Sequence, residues 1–271
     1  MEGPKTVRYP ARAAGERKQM TNTLCIATAR NSWSLKGGGK WLHDGDYFVS
    51  EMTRFIRHEE VTHGADVVGK MYTSKNRLAL RSRAIEDIQD NPGFDTLAFF
   101  CHGSWKWLFG SGHQIWNLSE LASAIASSCY VDPATKQPRV TIILYACSCG
   151  RGKRVVPWSR RQAIVERSSI QGQHGFAHML SAELGTLGVK ARVFAHTAKG
   201  DTTRNPLLCR VKTDPKTLVT TTIHYREFIK QELGKEAWTR FCGLMRDDPV
   251  FRFNVPFMKI NEVLDNVDDG C

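Results

Sequence analysis

The sequence has no apolar run approaching the ~18 residues that a membrane-crossing helix needs, which argues against a helical membrane protein. No apolar stretch follows the basic residues Lys5, Arg8, Arg12, Arg17 and Lys18, so a secretory signal is not expected. No internal repeat is visible, which excludes solenoid and propeller arrays. A phosphate-binding loop is missing too: Gly37-Gly38-Gly39 lacks the strand-then-helix setting such a loop requires. The eight cysteines show no close-packed framework spacing, and the chain is too long to depend on one. Several lie inside apolar runs, where cysteine behaves as a small hydrophobe. They read as mostly reduced, and the setting as cytoplasmic.

Hydrophobic residues make up 41% of the 271, enough to bury a sizeable core. Residues 1–19 read as a flexible basic tail and 20–271 as a single domain. The net charge of +11 and pI near 9.4 favour an anionic surface or partner without naming one. Apolar, strand-like runs occur at 22–29, 65–73, 94–100, 140–146 and 190–195, with one or two more within 204–223. Helical spacing occurs at 45–59, 76–89, 118–128, 175–187 and 226–244, with Asn117 a plausible N-cap for the third helix. Alternating strands and helices imply βαβ units. Continuous apolar strands imply a mainly parallel sheet covered on both faces.

Two strands end in reactive residues. The run Phe94–Phe100 passes through Cys101 into His102-Gly103, and Val140–Tyr145 passes through Ala146 into Cys147. Parallel strands would set both ends on the carboxyl edge of the sheet, where open α/β sheets bind ligands. A cysteine attacks as its thiolate, and an adjacent imidazole favours that form and later protonates the leaving group. The backbone N–H groups of Gly103 and Cys147 are then candidate oxyanion donors.

An apolar block before His-Gly, followed by an apolar block before Ala-Cys, resembles the caspase-like cysteine peptidases. The resemblance implies an α/β, three-layer caspase-like sandwich with a mainly parallel central sheet and helices on both faces. It implies peptide-bond hydrolysis through an acyl-enzyme, with His102 as base, Cys147 as nucleophile, a protein or peptide substrate, and no cofactor. Tyr145 stands where metacaspases place an aspartate and caspases a glutamine, so neither basic nor acidic specificity carries over. The family builds part of its S1 pocket after the strand matching 190–195, where His196, Thr197, Asp201 and Arg204 lie. Asp201 would favour a basic substrate residue and Arg204 an acidic one. Trp105, close behind His-Gly, could wall a subsite. The basic segment at 150–169 corresponds to a mobile loop of the family; it could be cut by the enzyme itself or hold an anionic activator. The compact size suggests a bacterial or phage-type protease.

Other readings compete. Cys149 is a rival nucleophile. Cys101, His102, Cys147 and Cys149 could form a zinc site, but adjacent strand residues point to opposite faces, so Cys101 and His102 would rarely share an ion. No metal is expected. His43, His58, His63 and His113 sit in segments without companion chemistry. A catalytically silent caspase-like interaction module is the second functional reading, and a nucleic-acid-binding protein a third and weaker one.

Overall fold

The computed structural model describes residues 22–29, 33–36, 40–73, 77–108, 113–151, 175–198 and 203–268. The basic tail at 1–19, residues 152–169 of the basic segment, and Asp201 lie outside them. In chain order the strands are β1 Asn22–Ala29, β2 Trp33–Lys36, β3 Lys40–His43, β4 Asp66–Thr73, β5 Thr96–Cys101, β6 Trp107–Leu108, β7 His113–Gln114, β8 Arg139–Tyr145, β9 Lys190–His196, β10 Leu208–Thr213 and β11 Thr220–His224. The helices are α1 Asp44–His58, α2 Arg77–Asp90, α3 Leu118–Ser128, α4 Phe176–Thr186, α5 Tyr225–Glu232, α6 Gly234–Asp247, α7 Pro249–Asn254 and α8 Ile260–Asp268.

Seven strands form one sheet in the order β11-β10-β9-β8-β5-β1-β4. The five from β4 to β9 are parallel, and β10 and β11 add an antiparallel edge. β1 connects through α1 to β4 on one side, and β5 then continues on the other, which makes the β1/β5 junction the topological switch point.

Alternation of side chains across the strands builds two cores. Leu97, Phe99 and Cys101 of β5, with Ile142 and Leu144 of β8, pack beneath α2, α3 and α4. Ala98 and Phe100, with Ile143 and Tyr145, pack beneath α1 and α5 to α8. The fold is therefore α/β, a three-layer sandwich with a mostly parallel central sheet. Each fully buried side chain such as Phe55, Phe99 or Phe194 contributes about 1.5–3 kcal/mol relative to exposure. None of the described helices is long and apolar enough to cross a membrane.

Two expectations are corrected. The helix expected over 226–244 is two helices, because Gly234 adopts φ +92°, a conformation few residues other than glycine tolerate. Asn117 does not cap α3 through its side chain; its Oδ1 turns back to accept from the Gln114 N–H at 2.7 Å.

Candidate active site

His102 and Cys147 each follow the end of one of two neighbouring parallel strands. β5 and β8 pair in parallel with Phe100 opposite Tyr145. That pair closes the register, and His102 and Cys147 each follow it by two residues, past the paired strands at the same edge of the sheet. Phe100 and Tyr145 face α1, and the imidazole of His102, two residues past Phe100, lies on that face too. The His102 ring meets Phe48 of α1 edge-on, with centroids 4.9 Å apart and planes at 88°. Phe48 is 4% exposed and gives the imidazole a fixed wall.

Beyond the strand ends the two loops pack directly together. A Cβ on Gly103 would lie 2.4 Å from Cys149 Sγ, 2.8 Å from Ala146 Cβ and 3.1 Å from the Cys147 carbonyl oxygen. Only glycine permits that approach. The Cys149 thiol donates to the Trp107 carbonyl at 3.8 Å, and Gly103 bridges Leu108 in a short antiparallel return. α4 fastens both loops from above. Its first N–H groups, which no helical carbonyl can satisfy, donate to them: Phe176 to the Trp105 carbonyl at 2.8 Å and Ala177 to the Cys149 carbonyl at 3.1 Å. Gly175, its N-cap residue, supplies no side chain for this purpose.

The chain reverses immediately after Cys147. Ser148 has φ +57°, left-handed for a residue with a Cβ, at a cost of order 1 kcal/mol that the surrounding packing must hold. Its N–H donates to the Ala198 carbonyl at 3.2 Å, and Gly150 N–H to the His196 carbonyl at 2.9 Å. The loop after β9 is thus tied to the Cys147 turn.

Of the seven described cysteines, only Cys147 and Cys242 are partly exposed. Cys149 is fully buried, and burial, with the thiols of Cys101 and Cys147 beside it, pushes its own thiol well above the ordinary range. A buried thiol is a weak nucleophile, which counts against Cys149 in that role. Burial likewise raises Cys129 to about 11 and Cys209 to about 12, and raises Cys242. The four-ligand zinc arrangement does not form: Cys101 and Cys149 belong to the core beneath α2, α3 and α4, whereas His102 packs against Phe48 on the opposite face.

The expected substrate contacts divide. Trp105 flanks the site, with Lys106 Nζ 4.7 Å above its ring. His196 is 1% exposed, with its ring centroid 6.2 Å from that of Tyr145. Thr197 is occupied in closing its loop, donating through both N–H and Oγ1 to the Leu207 carbonyl. Arg204 is exposed and lines a pocket of about 790 Å³ with Arg54, Arg57, Arg246 and Arg252. Beneath this pocket the Glu51 carboxylate accepts from Thr203 Oγ1 and pairs with Arg54 at 2.8 Å. Sequence reasoning missed Phe48, the Ser148 turn and the grip of α4. Only the glycine before Phe176 hinted at the last. No protein-family model matches the chain, and no curated protein matches its sequence.

Proposed function

We propose that the protein is a cytoplasmic cysteine endopeptidase of the caspase-like kind that works by a Cys147/His102 dyad. The observation that carries this reading is the packing of Gly103 onto residues 146–149, which joins the His-Gly and Ala-Cys loops on one sheet edge. Cys147 Sγ attacks the scissile carbonyl carbon as its proton passes to His102. The resulting oxyanion is received by the backbone N–H groups of Gly103 and Cys147. Collapse breaks the C–N bond, and His102 returns the proton to the departing amine. Water, deprotonated by His102, then attacks the thioester and releases the carboxylate and the thiol.

In this reading Arg204 favours acidic substrate side chains: its pocket also holds Arg54, Arg57, Arg252 and an Arg246 paired with Asp247, an excess of positive charge, and its loop is tied to the Cys147 turn. Self-cleavage in the basic segment at 150–169 belongs to the same proposal. Intact-mass measurement after long incubation checks it: the wild-type chain is cut and Cys147→Ala stays whole. The test of the enzyme reading is a peptide-library cleavage profile with Cys147→Ala as control. The proposal expects cleavage that disappears in the variant; equal profiles for the two proteins would overturn it.

A further inference from the structure

A second cluster of reactive side chains sits at the far end of α1, ten residues beyond Phe48 and so about 15 Å along the helix. The chain does not stop being helical at His58 but widens into a single π-helical turn, Glu59–His63. Such turns are rare and concentrate at functional sites. This one has a specific consequence. In an α-helix, residues five apart lie about 140° from each other around the axis. The i→i+5 bonding of a π-turn stacks them instead. His58 and His63, which have no companion chemistry along the sequence, thereby come together with ring centroids 5.6 Å apart.

Their donor atoms converge. His58 Nε2 lies 3.1 Å and His63 Nε2 2.9 Å from Asn254 Oδ1, at the end of α7. Glu59 Oε1 is 3.8 Å from His63 Nε2. The donor atoms of His58, Glu59 and His63 all lie within 4.8 Å of one another. A tetrahedral zinc ion with bonds of about 2.0–2.1 Å separates its ligand atoms by about 3.3 Å, and the observed spacings bracket that value.

Two further observations point to an ion. Glu59 is 1% exposed, yet its Oε1 has no hydrogen-bond partner; it faces His63 Nε2 at a distance too long for a hydrogen bond and suited to two ligands across a metal. Thr62 Oγ1 lies 3.3 Å from His58 Nδ1 and can hold the proton on that nitrogen, leaving the Nε2 lone pair directed at the cluster. His58 and Thr62 also border the arginine-lined pocket, which repels cations, so the approach is past the side chain of His63, 30% exposed.

We propose that His58, Glu59 and His63, closed by Asn254, bind a divalent first-row transition ion of the zinc type and thereby clamp the end of α1 to α7. Two imidazoles, one carboxylate and one amide oxygen suit zinc, cobalt or nickel rather than calcium or magnesium.

The test uses the full chain carrying Cys147→Ala, so that the dyad cannot hold the ion. Titration with Co²⁺ is followed by visible absorption, and with Zn²⁺ by calorimetry and thermal melting. The proposal expects one ion per chain, a ligand-field spectrum without sulfur-to-cobalt charge transfer, and a melting temperature that rises with Zn²⁺. Adding His63→Ala weakens binding by at least about 10- to 100-fold and abolishes the thermal rise. Glu59→Gln keeps the volume of the side chain and carries the same test should His63→Ala fail to fold. Absence of saturable binding, a thiolate charge-transfer band, or unchanged affinity in a folded His63→Ala or Glu59→Gln protein would overturn the proposal.

Discussion

Alanine at position 103 probes the junction of the two reactive loops with a single methyl group. The added carbon would stand 2.4 Å from Cys149 Sγ, 2.8 Å from Ala146 Cβ and 3.1 Å from the Cys147 carbonyl oxygen. Heavy atoms do not approach so closely, and none of these neighbours is the loose end of a long side chain. Overpacking of this kind costs about 1–3 kcal/mol. In a domain of this size about 2 kcal/mol lowers the melting temperature by about 4–8 °C. Because the obstructing atoms belong to residues 146, 147 and 149, relief moves the nucleophile. A displacement of a few tenths of an ångström to one ångström lowers kcat/KM by about tenfold to a hundredfold. The double variant Gly103→Ala/Cys149→Ala removes the worst contact but leaves the other two, so the pair shows a favourable coupling of about 1 kcal/mol and partial recovery of activity. Circular dichroism melts and the cleavage rate on a peptide from the library profile read both effects. A Gly103→Ala protein that melts and cleaves like the wild type would show that the loops do not pack as described and would refute the reasoning.

Two further expectations follow from other residues. His113 is fully buried, and burial, with Arg81 adding to it, lowers its imidazole from 6.5 to about 3. Its folded-state value is depressed, so the stability it contributes is present above pH 6.5 and is lost as the unfolded chain takes up a proton below that. The slope is about 1.4 kcal/mol per pH unit down to about pH 3. Urea melts across this window should show the loss for the wild type and a flatter acid limb for His113→Gln; identical limbs would remove His113 from the account. Arg204→Glu reverses one charge of the arginine-lined pocket, and a library profile should lose acidic preference by about tenfold, with basic peptides gaining; an unchanged profile would place specificity elsewhere.

The sheet was legible because its central strands are buried on both faces and so read as unbroken apolar runs, as in Thr96–Cys101. The positions of His102 and Cys147 were legible for the same reason: each follows directly on such a run. What lay outside sequence reasoning was set by long-range packing. The burial of Cys149, only two residues past Cys147, depends on Gly103 and Trp107 in another loop. The tie of α4 to both loops uses backbone atoms, which leave no side-chain signature. His58 and His63 were invisible as a pair because the 3.6-residue period places them on different faces, and the π-turn overrides it. The short helix α7 did carry a local signal, Asp248 capping the N–H groups of Val250 and Phe251 ahead of Pro249 at the first helical position. Its short length hid it among the last residues.

Thiol reactivity tests the central claim most directly. Iodoacetamide labelling of the native chain, with each cysteine followed by peptide mass spectrometry, should modify Cys147 first and well ahead of Cys242, the other partly exposed thiol among the described residues. His102→Ala should slow the labelling of Cys147 and leave that of Cys242 unchanged. Labelling spread evenly across the cysteines, or a Cys147 rate indifferent to His102, would contradict the account.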